Sequence, residues 1–261
     1  MKASRGRILK GIAGIAALLL AWQVSVPLVG LEPYLYPSPL RVWAAFVDLM
    51  QKGILPVYLV DSLGRYAAGT ACGVVLGVGL GILIGIDATA SRILGPFISF
   101  MFAIVEVAWI PIFVIWWGYG LKTILMVIAY VSFFPVLYNT IVGMRTVPAV
   151  MVNAARSLGA GRLEVLTEVM IPAALPNIIT GFRVGSGFAF RGMIFAEIIA
   201  AKTGVGYLIF EGATNQQTDR TMVGMFVIGL TWLFIDHVYV KPVEQVTIER
   251  WRTVTRADER E

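Results

Sequence analysis

Few side chains in this sequence could do chemistry, and each stands in apolar company. Ser186, between Gly185 and Gly187, and the single histidine, His237, are the one pair able to serve as nucleophile and general base. An intramembrane serine protease needs a glycine two residues before its serine, where this chain has Val184, and His237 stands at the end of the last apolar stretch. Serine hydrolysis is therefore set aside. Cys72 is the only cysteine, so no intrachain disulfide can form, and between Gly69 and Gly73 it reads as a small buried thiol without reactivity. One His and one Cys make no cluster of metal-ligand spacing, and no metal site is expected. Gly118-Tyr119-Gly120-Leu121-Lys122-Thr123 copies the end of a phosphate-binding loop but lacks both the glycine directly before Lys122 and the cradle spacing. No catalytic residue is assigned.

What remains is charge placed where charge is costly. Glu106, Arg183, Arg191 and Glu197 interrupt otherwise apolar runs. Ionisable groups inside a bilayer face a cavity, pair with one another or snorkel to the interface. Glu106 lies about 15 Å into its run at 1.5 Å per residue.

The elements that must position these groups follow from composition. Of 261 residues, 58% are hydrophobic and 14% charged, against roughly 25% charged in soluble domains. With a mean hydropathy of +0.80, the bilayer is the solvent. Six runs are long enough to cross it as helices, at about 11–31, 66–86, 93–118, 123–144, 172–201 and 221–240. The fold class expected is an all-α polytopic membrane protein, one domain over 1–261. The first run is longer than a signal-peptide core and is followed by no clear cleavage site, so it is expected to stay. Lys2, Arg5, Arg7, Lys10, Arg92, Arg145, Arg156, Arg162, Lys241, Arg250, Arg252, Arg256 and Arg260 fall on one side. Only Arg41, Lys52, Lys122, Lys202 and Arg220 fall on the other. The basic side is cytosolic, which puts both termini and the 145–171 loop in the cytosol. It also accounts for the net charge of +5 without nucleic acid.

Packing signals are also present. Gly69, Gly73, Gly77, Gly81 and Gly85 recur every four residues, a stripe along which a neighbouring backbone can approach. It reads as static packing, with a sliding hinge as the alternative. Gly181, Gly185, Gly187 and Gly192 repeat the device more weakly. Leu40–Met50 is amphipathic and, with Tyr34, Tyr36 and Trp43, suits a short helix at the outer interface. No inverted repeat of the kind found in secondary transporters is evident.

The 145–171 loop is a polar island. Asn153-Ala154-Ala155 is followed by Arg156-Ser157-Leu158, Gly159, nine residues and then Val169-x-Ile171-Pro172. Asn153 is expected to cap a short helix that Gly159 stops. Arg162–Met170 is expected to form a second short helix, with Pro172 and Pro176 restarting the chain into the bilayer. This pattern resembles the EAA motif of ABC-importer permeases, with Asn153 where the family has glutamate, which keeps the motif's shape and removes its charge. The resemblance covers about residues 35–245. Asp61-Ser62-Leu63-Gly64-Arg65, the run from Ala108 through Trp109 to Gly118, Phe133 to Thr140, Pro172 to Arg183, Ala196-Glu197 and Gly204 to Leu208 are similar to permeases for nitrate, sulfonate, taurine and bicarbonate.

The resemblance implies a type I ABC importer permease fold, a second copy of the chain, two cytosolic ATP-binding subunits that carry ATP and Mg, and a periplasmic solute-binding protein. It places the chain in a bacterial inner membrane, among lipid. Asn153, Ala154, Ala155, Arg156, Ser157, Leu158 and Gly159 would be the coupling segment, and no cofactor is expected in this chain. Glu106 stands where the family often has proline, and Arg191 where relatives mostly carry an apolar residue. Two readings follow. Glu106 and Arg191 border the translocation path, with Arg191 meeting an anionic group of the solute, or Glu106 forms a structural ion pair, with Arg183 at a matching depth. Trp109 lines the path or packs against a neighbouring helix. Glu197 and Arg183 read as packing or gating elements. The solute expected is a small anion, with a cationic or neutral precursor, such as a thiamine-related pyrimidine, as the rival. A secondary transporter is the more distant one.

Overall fold

The structure is a computed structural model that describes residues 2–32 and 34–243, with side chains from residue 13 onward. The basic residues Arg250, Arg252, Arg256 and Arg260 lie outside the described residues, as do the side chains of Lys2, Arg5, Arg7 and Lys10. Among the described residues the regular structure is helical throughout. In order come α1 (Lys2–Val29), α2 (Pro39–Gln51), α3 (Ile54–Ile86), α4 (Ala88–Ala103), a 3-10 turn (Glu106–Trp109), α5 (Ile110–Trp117) and α6 (Leu121–Arg145). They are followed by α7 (Ala149–Ser157), α8 (Arg162–Glu164), a π-helical segment (Val165–Met170), α9 (Ile171–Ala200), α10 (Val205–Thr214) and α11 (Thr218–Ile235).

Among the described residues, four helices are long and apolar enough to cross a bilayer: Ile54–Ile86, Leu121–Arg145, Arg162–Ala200 and Thr218–Val243. Ala88–Ala103 and Glu106–Trp117 make a fifth crossing only as a bent pair, at 92°. The expected straight span over 93–118 is therefore corrected: it breaks at Ile104 and Val105, where the backbone turns extended. α1 runs over Lys2–Val29, and the part of it with described side chains, Ala13–Val29, is apolar. The expected span at 66–86 starts earlier, because α3 begins at Ile54 and carries Asp61 and Arg65 within it.

The centre of the bundle is the contact between α3 and α6. A Cβ on Gly69 would lie 2.6 Å from Ile128, on Gly77 3.0 Å from Val136, on Gly81 2.5 Å from Thr140 and on Gly85 2.6 Å from Met144. Gly73 sits against Ser132 and the Ala129 carbonyl. Each partner is 59 positions further along, so the two helices run parallel in fixed register. A parallel pair requires the chain between them to return the full length of the bundle. The bent pair is therefore a broken crossing and not a loop that re-emerges on the same side. Its ends agree: Arg145 at the end of α6 donates from Nη1 to Ser91 Oγ at the start of α4, 3.0 Å away. Thr123 at the start of α6 donates to the carbonyls of Phe113 and Gly118, beside α5.

On its other side α6 packs antiparallel on α9, where Gly143 meets Asn177 and Ala174, Gly181 meets Asn139, and Gly185 meets the Ser132 carbonyl. Cys72 is exposed, which corrects the buried reading. It is one residue, about 100° of helix, away from Gly73 and so turns off the face that α6 covers. The amphipathic run is α2 as expected, with Ser38 capping its start and Val42, Ala45 and Leu49 buried against Val223 and Val227 of α11.

Lipid supplies no hydrophobic force between helices, so close contact must hold α3 on α6. Gly73→Ala is expected to cost about 1–3 kcal/mol by overpacking against backbone that cannot give. Gly79→Ala, where a Cβ meets nothing within 4 Å, is expected to cost nothing. Thermal unfolding of the two purified variants checks the difference.

Candidate functional site

The polar island folds as a hairpin of helix. Pro148 ends an extended residue pair, and α7 starts directly after it. Asn153 is thus in the middle of α7, not at its cap, and its carbonyl accepts the Ser157 hydroxyl at 3.0 Å. The expected stop does occur at Gly159, whose φ of +89° suits glycine. The Gly159 N–H donates to the Arg156 carbonyl and the Ala160 N–H to the Ala155 carbonyl, the doubled bond pattern of a helix end closed by a left-handed residue. Ala154, Arg156, Ser157 and Leu158 are exposed and Ala155 is half-buried. The tip is also apolar: Leu158 is 89% exposed, with Val150, Met151 and Leu163 exposed around the same hairpin.

The return arm does not end before the bilayer. Arg162–Ala200 is one continuous helix of 39 residues, about 58 Å long. The separate second helix and the restart at Pro172 and Pro176 are corrected accordingly. Pro172 falls at the second residue of α9, next to the π-helical turn, where the bonding pattern is already shifted and a missing N–H costs least. Val165 is buried under α7, and Leu166, Met170 and Ile171 pack on Met144, Ala174 and Ile178. The hairpin is thereby rooted on α6 and α9.

Beside the far half of this helix lies the second group of expected residues. Glu106 opens the 3-10 turn after the broken helix and lines a pocket of about 80 Å³ with Met101, Phe102, Ile104, Tyr130 and Phe188. Arg191 places its guanidinium over the Phe188 ring, 4.9 Å from the centroid, and donates from Nε to the Gly187 carbonyl at 3.3 Å. Glu106 thus shares its pocket with Phe188, the ring on which Arg191 rests. Arg183 lies eight residues away on the same helix, about 12 Å along it, and is exposed. Trp109 stacks on Tyr130 and Phe113, at 5.1 and 6.1 Å between centroids. Trp116 and Trp117 are exposed at the edge. Ser186 is buried while His237 is exposed and lies 3.4 Å from Lys241 Nζ, so no serine–histidine pair forms.

A third group joins Glu197, expected as a packing or gating element, to partners that the sequence did not pair with it. Glu197, fully buried at 0% exposure, sits where α3, α9 and α10 meet. Ser62 Oγ is 2.9 Å from both its carboxylate oxygens, Arg65 Nη1 donates to Oε1 at 2.8 Å, and the Gly206 N–H donates to Oε2 at 3.0 Å. Arg65 also donates to the carbonyl and hydroxyl of Thr203, both at 2.6 Å, and Ser62 accepts the Val205 N–H. Gly204, at φ +114°, lets this loop fold over the carboxylate, where a Cβ would collide with it. Each charge is thus paired and hydrogen-bonded, as a dry interior requires. An acid late in one span and a base early in another, 132 residues apart, share a depth, which was the only signal available.

Residues 73–240 match the family described as "Binding-protein-dependent transport system inner membrane component". The chain is 31% identical to the taurine transport system permease protein TauC of Escherichia coli (strain K12), over 84% of this chain and 82% of that one. It is 30% identical to the bicarbonate transport system permease protein CmpB of Synechocystis sp., over 89% and 86%. The riboflavin transport system permease protein RibX of Chloroflexus aurantiacus is 31% identical over 90% and 87%. The crystal structure of an amino acid ABC transporter with histidines is similar at a TM-score of 0.61 and 15% identity, covering 78% of this chain and 97% of that one; at that identity the likeness is one of fold.

Removing one partner of a buried pair strands the other. Arg65→Met is expected to lower stability by about 3–5 kcal/mol by leaving the Glu197 charge uncompensated, and Ser62→Ala by about 1–3 kcal/mol. Denaturant titration of the purified protein ranks the two, and equal small losses would refute the pairing as a structural latch.

Proposed function

The chain belongs to the family of binding-protein-dependent transport system inner membrane components, and from that premise we propose that it is the membrane subunit of an ATP-driven importer of a small anionic solute. It works as one of two copies. A solute-binding protein delivers from outside, and two ATP-binding subunits supply the energy, holding ATP and Mg themselves. The basic hairpin 145–171 and both termini face the cytosol.

The observation that supports this reading most is the hairpin itself. A polar island that exposes Val150, Leu158 and Leu163 to water is a surface shaped for a protein partner. Closure of the ATP-binding subunits displaces α7. Val165, Leu166 and Met170 carry the displacement into the Met144–Ala174–Ile178 cluster, and the unbroken helix carries it on towards Arg191 and Glu197. No internal bend has to absorb the motion. Contacts at α7 rest on shape and apolar area, since Asn153 brings no charge.

The taurine and bicarbonate relatives support an anionic solute, and Arg191, whose guanidinium lies over Phe188, is the group suited to it. The riboflavin-type relative favours a neutral ring compound instead. A pocket of about 80 Å³ is well below the roughly 300 Å³ at which ligand sites for larger molecules begin, which weighs against that reading.

Leu158→Asp places a charge at the tip of the hairpin, outside the membrane and outside the core. It is expected to cut ATP-driven, vanadate-sensitive uptake into proteoliposomes at least tenfold and to reduce co-purification of the ATP-binding subunits, at unchanged permease yield. Uptake and co-purification at the unsubstituted level would overturn the coupling role.

A further inference from the structure

The first helix touches the rest of the molecule over little more than one turn. Among its described side chains only Trp22, Gln23, Ser25 and Val26 are half-buried, and the others are exposed. The chain after α1 is nevertheless held in place: the hydroxyls of Ser25 and Tyr36 lie 2.9 Å apart, and Thr218 at the start of α11 donates to the Tyr34 carbonyl. α1, α2 and α11 therefore meet at one end, and beside that meeting point they enclose a groove of about 430 Å³. Leu19 and Trp22 of α1, Trp43 and Phe46 of α2, and Phe226 and Leu230 of α11 form its sides, and none of its lining side chains is charged. Trp43 and Phe46 stack at 5.4 Å and make one wall of it.

Its size and depth suit a hydrocarbon chain. A volume of about 430 Å³ is room for about fourteen groups of water size, at roughly 30 Å³ each, and a methylene is of that size. The lining of α11 runs from Val223 to Leu230, about 10 Å at 1.5 Å per residue, against roughly 15 Å for half of a hydrocarbon core. A chain in the groove is in contact with protein on three sides. In lipid such contact is what favours one neighbour over another.

The mouth of the groove carries a charge that nothing in the fold uses. Asp48 of α2 takes Lys52 at 2.7 Å and Arg220 at 3.6 Å. Arg41 stands in the first turn of α2, between Leu40 and Val42, which both line the groove. Its side chain is exposed and has no ion-pair or hydrogen-bond partner among the described residues, its backbone N–H alone going to Ser38. An unpaired guanidinium at the membrane interface, beside an apolar groove, complements a phosphate with a chain attached.

We propose that this groove is a binding site for one glycerophospholipid, with an acyl chain between α1, α2 and α11 and the phosphate on Arg41. The lipid completes the packing of α1, which the protein alone leaves open. Because no carboxylate offsets Arg41, a headgroup with net negative charge is preferred over a zwitterionic one. The site goes beyond the importer reading and does not depend on it.

The test uses the full chain purified in detergent, stripped of lipid and offered phosphatidylglycerol or phosphatidylcholine with matched acyl chains. Native mass spectrometry counts the lipid retained per chain. One phosphatidylglycerol per chain is expected, held about fivefold better than phosphatidylcholine, as one basic residue beside an anionic headgroup gives. Arg41→Gln should bring phosphatidylglycerol down to the level of phosphatidylcholine. Leu230→Trp and Leu19→Trp, which fill the groove from two of its sides, should lower retention of both lipids by about fivefold or more. Ile115→Trp, at an exposed apolar position of α5, should leave retention unchanged. Yield and elution volume control for folding, with Leu230→Phe as the milder groove variant. Retention unaffected by the groove variants, an equal loss in Ile115→Trp, or no headgroup preference overturns the site. So does efficient cross-linking between two copies through Phe226→Cys in a Cys72→Ser background, which would place a second copy over the groove.

Discussion

A helix in lipid gains nothing by being apolar, so something other than hydrophobic burial must hold this bundle together. That constraint explains most of its construction. Where α3 meets α6 the side chains are removed outright, and five glycines at a spacing of four let the backbones touch over the whole membrane depth. The register of this pair fixes the direction of both helices and forces the segment between them to cross. Because the first half of that crossing, α4, ends at Ala103, the second half must approach at an angle. The opening left at the corner is the pocket of Glu106. A pocket at that corner is thus a consequence of glycine packing at the centre of the bundle.

The second consequence is mechanical. Arg162–Ala200 holds the return arm of the hairpin at one end, Arg191 beside the pocket, and the buried Glu197 at the other end. Three features that look separate in the sequence are mounted on one rod. Glu197 ties the far end of the rod to α3 through Ser62 and Arg65 and to the loop before α10 through Gly206. A load applied at the hairpin therefore meets a root at Met144 and Ala174 and an anchor at Glu197, with the pocket between.

Much of this was legible in the residues. Hydropathy located four straight crossings and the broken one among the described residues, short of the six expected, and the glycine stripe announced a close neighbour without naming it. Cys72 could have been turned outward from its place one residue before Gly73. Prolines misled, since Pro172 and Pro176 read as breaks in water-soluble terms, yet a π-helical turn absorbs the first and the helix runs on. Pro148, by contrast, marks the start of α7 that Asn153 was expected to cap. The break at Ile104 and Val105 carries no glycine or proline to announce it and comes from packing against α6 and α9. The Glu197 latch joins residues more than a hundred positions apart, beyond any local pattern. The same holds for the ring of Phe188 under Arg191.

The central claim is that the hairpin moves the bundle through a helix that does not bend. Spin labels at Leu163→Cys and Ile199→Cys, both exposed positions on the rod, in a Cys72→Ser background, measure its length by pulsed electron resonance in the assembled importer. The account predicts a separation near 54 Å from 36 residues at 1.5 Å each, unchanged between nucleotide-free and ATP-trapped states, while the distance from Leu163 to a label in the ATP-binding subunit shortens. A separation that changes with nucleotide, by bending at Pro172 or Pro176, would contradict it.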